Sequence, residues 1–439
     1  MKLKRILGSC VPAAAFFLLV ASFEPPHCHA QTSDAELDKA FIRFHDETDS
    51  SKRHRAAKAI VALGSRVGEL ERRLAVGRIY SNDAKRGRVR LSLKDDEGHR
   101  HHTLALVPSR YDAARPIEVR FILHGGVERP RAWSRNDQWW RRLDPFEEQD
   151  YIAVFPSSWK DSLWWSQDQV ANFRGILMEL KRDYNLDENR VSLFGVSDGG
   201  TGAYYHAMKA PTPWAAVLPF IGHPAVLDNP GSGIVDAMFS ANLAATPLYI
   251  VNGKTDRLYP AHRVTPYVRA FERLGARVVY RIMEGGHNTR WWSDEAESIA
   301  AFLQDHPRDP FPERMVWQMD EDLRFGRLHW LVVDAVSPRR DSTLQDDSFP
   351  TNEGSARIEL HKKGNRVEVT AVGVDRYRLL IGSGQFDLKE PIEVLTNGAP
   401  SFVGRVAPSA ETLLYWASRD DDRTQLFVAE IPIDLGTSE

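Results

Sequence analysis

The residues with the clearest chemical potential lie in Gly195-Val196-Ser197-Asp198-Gly199, which fits the pattern G-x-S-x-G. The pattern follows residues 191–194, an apolar run typical of a buried strand, and precedes residues 201–209, which read as a helix. A serine on a strand-to-helix turn projects its hydroxyl above the sheet, and glycine neighbours let the backbone approach closely. The placement therefore predicts a nucleophilic serine rather than an ordinary glycine-rich turn.

A serine hydroxyl becomes a nucleophile only when a base takes its proton, so a histidine is expected downstream. We predict that His287 is this base, because it follows two glycines at the carboxyl end of the last predicted strand of the sheet. From there a loop can place the imidazole over the serine. His223, in Gly222-His223-Pro224, is an alternative that also follows an apolar strand. The other downstream histidines are His206, His262 and His306.

A third residue should orient the imidazole and stabilise its charged form. Asp256 follows the apolar run of residues 247–251, and the chain order Ser197, Asp256, His287 is one in which such triads occur. Asp228 and Asp236, in a long loop, are alternatives. Asp198 is too close to the serine to reach the far side of the imidazole.

The tetrahedral intermediate of acyl transfer needs N–H donors that are already in place. We expect one donor to be the backbone N–H of Asp198, the residue after the nucleophile. The other should come from the turn His124-Gly125-Gly126-Val127, through Gly126 or Val127. These residues form the predicted oxyanion hole.

The elements that must position these residues alternate between apolar strands and amphipathic helices. This alternation predicts an α/β fold with a mainly parallel sheet covered by helices on both faces, in which function gathers at the carboxyl ends of the strands. A hairpin over residues 89–93 and 103–107 precedes it. Predicted strands cover residues 119–123, 151–155, 191–194, 215–219, 247–251 and 278–283, and predicted helices cover residues 172–184, 201–209, 264–274 and 294–303.

Different patterns flank this region. Residues 34–74 have a helical period and predict two or three helices interrupted near residues 49–51. After a linker rich in proline and charge, short alternating runs predict a small all-β unit, a sandwich. The predicted divisions are a helical segment at 31–87, a catalytic domain at 88–306 and a β-domain at 313–439.

The N-terminus has the features of a signal peptide. A basic start precedes the apolar residues 6–21, and Cys28-His29-Ala30 predicts cleavage after Ala30, so that residues 1–30 are removed. An uncleaved anchor is the alternative, which Pro12 disfavours. Both cysteines, Cys10 and Cys28, lie in this segment, so the mature chain would contain no thiol. We expect a protein exported to the periplasm or beyond the cell, without a membrane span after cleavage.

Composition excludes several classes of protein. With 42% hydrophobic and 27% charged residues, the chain is neither wholly disordered nor a polytopic membrane protein. A net charge of −3 gives no sign of the excess positive charge that nucleic-acid binding needs. The histidines at 99, 101 and 102 alternate along a surface strand without a supporting carboxylate pattern, and we expect no metal there. The proposed chemistry needs no cofactor.

The residues at these positions closely resemble those of the α/β-hydrolase fold, over roughly residues 88 to 305. The His-Gly-Gly turn, Trp164-Trp165, residues 187–191 and the Gly-Val-Ser-Asp-Gly-Gly sequence look like the polyhydroxybutyrate-depolymerase and feruloyl-esterase branch of secreted esterases. The resemblance implies a small-molecule or polymer ester as substrate. The β-domain looks like an accessory domain of bacterial hydrolases, with a polysaccharide as its candidate partner. A prolyl-oligopeptidase-like serine peptidase and a binding protein on a hydrolase scaffold are the alternatives.

Tryptophans are concentrated in loops expected around the mouth of the site. Their flat faces suit sugar rings and phenolic groups, and we predict that Trp164, Trp165 and Trp291 bind substrate, although at least half of the set should cover the sheet edge and pack loops instead. Arg257 and Arg290, beside Asp256 and His287, are candidates to meet an acidic substrate group or a structural partner. The further tryptophans of this set are Trp133, Trp139, Trp140, Trp159 and Trp292.

Overall fold

The computed structural model describes residues 34–95, 97–134, 149–341, 344–346, 348–350 and 354–436. The predicted signal peptide, residues 1–30, lies outside the described residues, so its cleavage stays a prediction. Within the described ranges, every helix is too short or too polar to cross a bilayer.

An eight-stranded sheet forms the centre of the molecule, in the strand order β1-β2-β4-β3-β5-β6-β7-β8. β1, β2 and β4 pair antiparallel, and the pairs from β4–β3 through β7–β8 are parallel. The predicted fold class, a mainly parallel α/β sheet, is confirmed. The strands are β1 (Gly87–Lys94), β2 (Arg100–Val107), β3 (Ile117–Leu123), β4 (Ile152–Pro156), β5 (Leu186–Val196), β6 (Ala216–Phe220), β7 (Leu248–Gly253) and β8 (Val278–Met283).

Helices cover both faces of this sheet. Because alternate residues of a strand point to opposite sides, each central strand contributes side chains to both cores. Leu193 of β5 belongs to the core beneath α5 (Gln167–Asp183), α6 (Asp198–Lys209) and α7 (Ala261–Arg273). Its neighbour Phe194 packs in the opposite core with α8 (Trp292–Asp305). The short α4 (Arg131–Ser134) follows the loop after β3. Continuous apolar runs such as β4, β6 and β7, buried at every residue, follow from this two-sided cover.

The C-terminal unit contains two sheets that enclose a core of their own, with the orders β10-β11-β14-β17 and β16-β15-β13-β12-β9. Its strands are β9 (Arg314–Met319), β10 (Arg327–Leu328), β11 (Leu331–Val336), β12 (Ala356–Lys363), β13 (Arg366–Val372), β14 (Val374–Ile381), β15 (Ile392–Thr396), β16 (Ala399–Gly404) and β17 (Ala429–Asp434).

The prediction that this unit is all-β was wrong in one element, the helix α9 (Ala410–Asp420). Ser409 caps its first turn by accepting a hydrogen bond from the N–H of Thr412. Leu413 and Leu414 pack in a third core with the N-terminal helices. The apolar face of α9 therefore contacts elements that are far away in the sequence. Those helices are α1 (Asp34–Asp46), α2 (Ser50–Ala62) and α3 (Val67–Val76).

The residues that end α9, Asp420 to Arg423, join the three parts of the chain. Asp421 pairs with Arg53 and Arg78 from the N-terminal segment, and its carbonyl accepts from Lys181 of α5 at 2.7 Å. Burial opposes the charge of Asp421, but Arg53 and Arg78 outweigh it and lower the pKa of this carboxyl. The same run forms three more ion pairs: Asp420 with Arg327, Asp422 with Arg308, and Arg423 with Glu188.

Replacement of Asp421 by Asn should destabilise the whole protein. The Arg53 side chain is 0% exposed, so the variant leaves a buried cation without its carboxylate, at a cost of about 3–5 kcal/mol. Asn tolerates the left-handed backbone of this position (φ 46°), so the change tests the charge alone. Urea unfolding would measure the effect. Asp150→Asn, which breaks the exposed pair with Arg110, is the control and should change little. Equal, small effects of the two substitutions would contradict this account.

Four buried histidines make the stability depend on pH. Burial lowers the pKa of His206 and His329 to about 3, and that of His45 and His124 to about 4. As the pH falls below about 6.5, the unfolded chain takes up protons that the native state excludes, so stability is lost. Each such histidine should contribute a loss of about 1.4 kcal/mol per pH unit. Urea unfolding between pH 7.5 and 5 should show this decline, and His206→Gln should reduce its slope by one proton; parallel slopes would contradict the assignment.

Candidate active site

Ser197 occupies the sharp turn between β5 and α6. Its backbone angles are φ 58° and ψ −119°, a conformation that a residue with a side chain seldom adopts and that persists only where the surroundings enforce it. The N–H of Ser197 donates to the carbonyl of Phe220, and its own carbonyl accepts from Thr201, the first turn of α6. The hydroxyl therefore stands at the carboxyl end of β5, as the sequence predicts.

Glycine is required beside this serine because the chain crosses itself there. A Cβ atom at Gly195 would lie 1.9 Å from the carbonyl oxygen of Gly199, and one at Gly199 would lie 2.3 Å from the carbonyl oxygen of Leu123. Backbone atoms cannot yield at such distances. The two glycines of the G-x-S-x-G pattern thus fix how far the turn can close.

The structure brings Ser197, His287 and Asp256 together in one line of hydrogen bonds. Ser197 Oγ lies 2.7 Å from His287 Nε2, and His287 Nδ1 lies 2.8 Å from Asp256 Oδ2. Asp256 comes from the turn after β7, and His287 from the loop after β8. The parallel strands β5, β7 and β8 end at the same edge of the sheet, which is why residues so distant in sequence meet.

Asp256 is held firmly enough to orient the imidazole. Its side chain is 0% exposed, and its second oxygen accepts from the backbone N–H groups of Leu258 and Tyr259 at 2.8 and 2.9 Å. With the carboxylate as acceptor, the network assigns the proton of neutral His287 to Nδ1 and leaves Nε2 to accept from Ser197. This is the arrangement that a general base requires.

The alternative residues have other partners. His223 Nδ1 accepts from the N–H of Ala225 at 3.1 Å and caps a short 3₁₀ helix. His206 is buried, stacks on Phe173 at 4.4 Å and hydrogen-bonds the carbonyl of Trp164. Asp236 accepts from the hydroxyl of Tyr205 at 2.5 Å. These contacts are structural.

The turn predicted to supply oxyanion donors lies against Ser197. A Cβ atom at Gly125 would lie 2.9 Å from Ser197 Cβ, and Gly126 adopts φ 70°. His124 secures the turn: its Nε2 accepts from the N–H of Ser158 at 3.1 Å and its Nδ1 lies 3.0 Å from the carbonyl of Gly125. Burial, which lowers the pKa of His124 to about 4, keeps this ring neutral.

The two N–H groups chosen from sequence already have an acceptor. Gly126 and Val127 both donate to Oδ2 of Asp198, each at 3.0 Å. The hydroxyl of Tyr259 donates to Oδ1 of the same carboxylate at 3.2 Å. Sequence reasoning brought Gly126, Val127 and Asp198 together for their backbone groups but missed the Asp198 side chain.

Tyr259 is a neighbour of His287 and Asp198 that sequence reasoning did not single out. Its ring packs edge-on against His287 at 5.4 Å between centroids, while its hydroxyl reaches Asp198. Burial, and next the Asp198 charge, raise the pKa of Tyr259, so its hydroxyl stays a donor. The one available signal was its place three residues after Asp256, in the same turn.

Comparison with known proteins finds solved structures that resemble part of this chain at low sequence identity. No family model matches the chain, and no curated protein matches it. A thermostable esterase is 20% identical with a TM-score of 0.40 over 50% of this chain and 63% of its own, and a ferulic acid esterase is 16% identical with a TM-score of 0.38 over 50% and 98%. A protein described as a dipeptidyl aminopeptidase IV from Bacteroides ovatus is 16% identical, with a TM-score of 0.40 over 50% and 36%.

The chain has an α/β-hydrolase fold. The order of the strands and the turn at Ser197 carry that assignment. The chain spans less than two thirds of the thermostable esterase and of the dipeptidyl aminopeptidase, and at such low identity their activities do not transfer to this chain.

The tryptophans predicted to bind substrate are buried instead. Trp164, Trp165 and Trp291 are 0%, 4% and 5% exposed, and their indole N–H groups donate to the carbonyls of His124, Ser232 and Asn288. They fix the loops around the candidate active site, and a substrate-binding role for them stays a prediction. The side chains of Trp133, Trp139 and Trp140 lie outside the described residues.

Other predicted contacts lie at the surface or in the core. Arg257 and Arg290 are exposed next to the triad residues. Trp159 is fully buried against the ring of His101, at 4.9 Å between centroids, and Trp292 is partly exposed.

The hairpin histidines have a carboxylate environment that spacing did not reveal. His101 Nε2 lies 3.0 Å from Asp95 Oδ2 and 3.7 Å from Asp168 Oδ2. These three side chains form a group of possible metal ligands among the described residues. Asp168 is remote in sequence, in the first turn of α5, which is why sequence spacing missed it. A hydrogen bond of 3.0 Å joins His101 and Asp95 within this group.

Replacement of Gly195 by Ala should disrupt the turn that carries Ser197. The new Cβ would lie 1.9 Å from the Gly199 carbonyl oxygen, so the variant should lose several kcal/mol of stability or fail to fold. Gly68→Ala is the matched control, because a Cβ atom there meets nothing within 4 Å and alanine favours helix α3. Thermal unfolding of both variants measures the difference. A native-like melting temperature for Gly195→Ala would contradict the packing described.

Proposed function

We propose that this protein is a serine hydrolase that cleaves carboxylic esters through an acyl-enzyme intermediate. The observation that carries the proposal is the continuous hydrogen-bond line from Ser197 through His287 to the buried Asp256. This line joins a hydroxyl, a base and an orienting carboxylate at the end of the sheet where the fold positions function.

In the first half-reaction, His287 Nε2 takes the proton of Ser197 as Oγ attacks the ester carbonyl carbon. His287 then returns this proton to the departing alcohol, and the acyl group stays on Ser197. In the second half, His287 deprotonates a water that attacks the acyl carbon, and Ser197 recovers its proton as the acid leaves. Asp256 stabilises the imidazolium in both halves.

Negative charge on the carbonyl oxygen needs donors next to Ser197. The backbone N–H of Asp198, at the N-terminus of α6, belongs to a helix end where N–H groups have no helical acceptor and the dipole favours an anion. The turn of residues 124–127 supplies the second donor in this proposal, and its Gly126 and Val127 N–H groups become available when the Asp198 carboxylate leaves them.

An ester is the preferred substrate because its alcohol leaves more easily than an amine.

The proposal extends to export by way of residues 1–30 and to a polysaccharide-binding role for residues 313–439. A pull-down of the full chain on insoluble polysaccharides, with and without soluble polysaccharide as competitor, tests that role.

A fluorophosphonate probe tests the activated serine. Wild type should be labelled and should hydrolyse p-nitrophenyl esters, whereas Ser197→Ala should lose labelling and at least about 10³-fold in kcat/KM, since the nucleophile is gone. Ser401→Ala removes an exposed hydroxyl in the C-terminal unit and is the matched control. Ester cleavage that persists undiminished in Ser197→Ala would refute the proposal.

Parallel assays distinguish the substrate classes. With matched p-nitrophenyl ester and p-nitroanilide substrates, we expect a far higher kcat/KM for the ester. A preference for the anilide would identify a serine peptidase, and folded protein that neither labels nor cleaves would identify a binding scaffold.

A further inference from the structure

The Asp198 carboxylate lies where the charge of a reaction intermediate is expected. Both N–H groups of the turn, from Gly126 and Val127, donate to one oxygen of this side chain, and Tyr259 donates to the other. We propose that the Asp198 carboxylate competes with the oxyanion for these N–H donors. It occupies the oxyanion hole in the free enzyme and must move away when substrate binds. The inference rests on the proposed function and assigns a specificity-determining role to a residue beside the nucleophile.

The position of the turn supports competition rather than a remote structural bond. Gly125 is so close to Ser197 that a Cβ atom would lie 2.9 Å from Ser197 Cβ and 3.5 Å from Oγ. The next two N–H groups along the chain are those that Asp198 accepts from, each at 3.0 Å. A carboxylate and a tetrahedral oxyanion carry like charge and need the same donors, so one excludes the other.

Few bonds hold the Asp198 side chain within the part of the chain that the structure describes. Asp198 is partly exposed, and its one side-chain partner among the described residues is the hydroxyl of Tyr259. As the first residue of α6, it remains at a helix N-terminus, which favours a negative charge in either position. Rotation toward solvent therefore costs mainly the bonds to Gly126, Val127 and Tyr259.

This competition favours substrates that bind well away from the reacting carbonyl. Binding energy from remote contacts can displace the Asp198 carboxylate, whereas a minimal ester such as p-nitrophenyl acetate makes few such contacts and supplies little binding energy for the displacement. The enzyme should discriminate against small esters, and loss of the carboxylate should relax that discrimination.

The experiment compares full-length wild type, Asp198→Ala and Asp198→Asn in second-order labelling by the fluorophosphonate and in kcat/KM for p-nitrophenyl acetate. Asp198→Ala should react about tenfold faster, since charge-assisted bonds no longer compete. Asp198→Asn should be intermediate, because a neutral amide oxygen competes less well. Tyr259→Phe, which removes one donor to the carboxylate, should change the rate in the same direction by a smaller factor.

Sodium formate separates competition from a positioning role. In Asp198→Ala, formate should occupy the vacated donors and slow labelling toward the wild-type rate, with little effect on wild type. A slower Asp198→Ala that formate accelerates would show that the carboxylate only shapes the turn, and an unchanged rate would also overturn the inference. If Asp198→Ala does not fold, the labelling rates of Asp198→Asn and Tyr259→Phe test the inference: rates above wild type support it, and rates at or below wild type overturn it.

Failure of the proposed function gives a different pattern. If folded wild type, Asp198→Ala and Asp198→Asn all resist the probe, the serine is not activated and both proposals fall. If wild type reacts at Ser197 and the Asp198 variants are no faster, only the competition is refuted.

Discussion

The backbone around Ser197 is packed so closely that no side chain fits between the end of β5 and the start of α6. Gly195 faces the Gly199 carbonyl, and Gly199 faces that of Leu123, the last residue of β3. This contact sets the strained angles of Ser197, the height of its hydroxyl and the distance to the turn that follows β3. His287 and Asp256 can form their line of hydrogen bonds to the Ser197 hydroxyl only because that hydroxyl is held in a fixed position.

Sequence reasoning brought Ser197, Asp256 and His287 together because each follows an apolar run, and such runs end at one edge of a parallel sheet. It failed where a side chain is defined by tertiary contact. The carboxylate of Asp198 accepts from a turn far back in the chain, and no local pattern distinguishes this from a solvated aspartate. The burial of Trp164 escaped it for the same reason, because the sequence around an indole in a loop does not reveal its buried acceptor, the carbonyl of His124.

The helix α9 shows a related limit. Leu413 and Leu414 give it an apolar face, but it is short and lies among alternating strands, where a period of two dominates the pattern. Its partners are helices at the opposite end of the chain. The fold class depends on local periodicity and was predictable, whereas the joining of the three units depends on pairs of charges whose partners only the folded structure reveals.

The pair of Arg53 and Asp421 joins residues 368 positions apart. During synthesis, the N-terminal helices emerge while their counter-charge has yet to be made, and Arg53 cannot be buried at low cost until the last residues arrive. Closing so long a loop is also slow. The end of the chain therefore controls the docking of its beginning: without Asp421, Arg53 and Arg78 lack their counter-charge, and the N-terminal helices cannot pack at low cost.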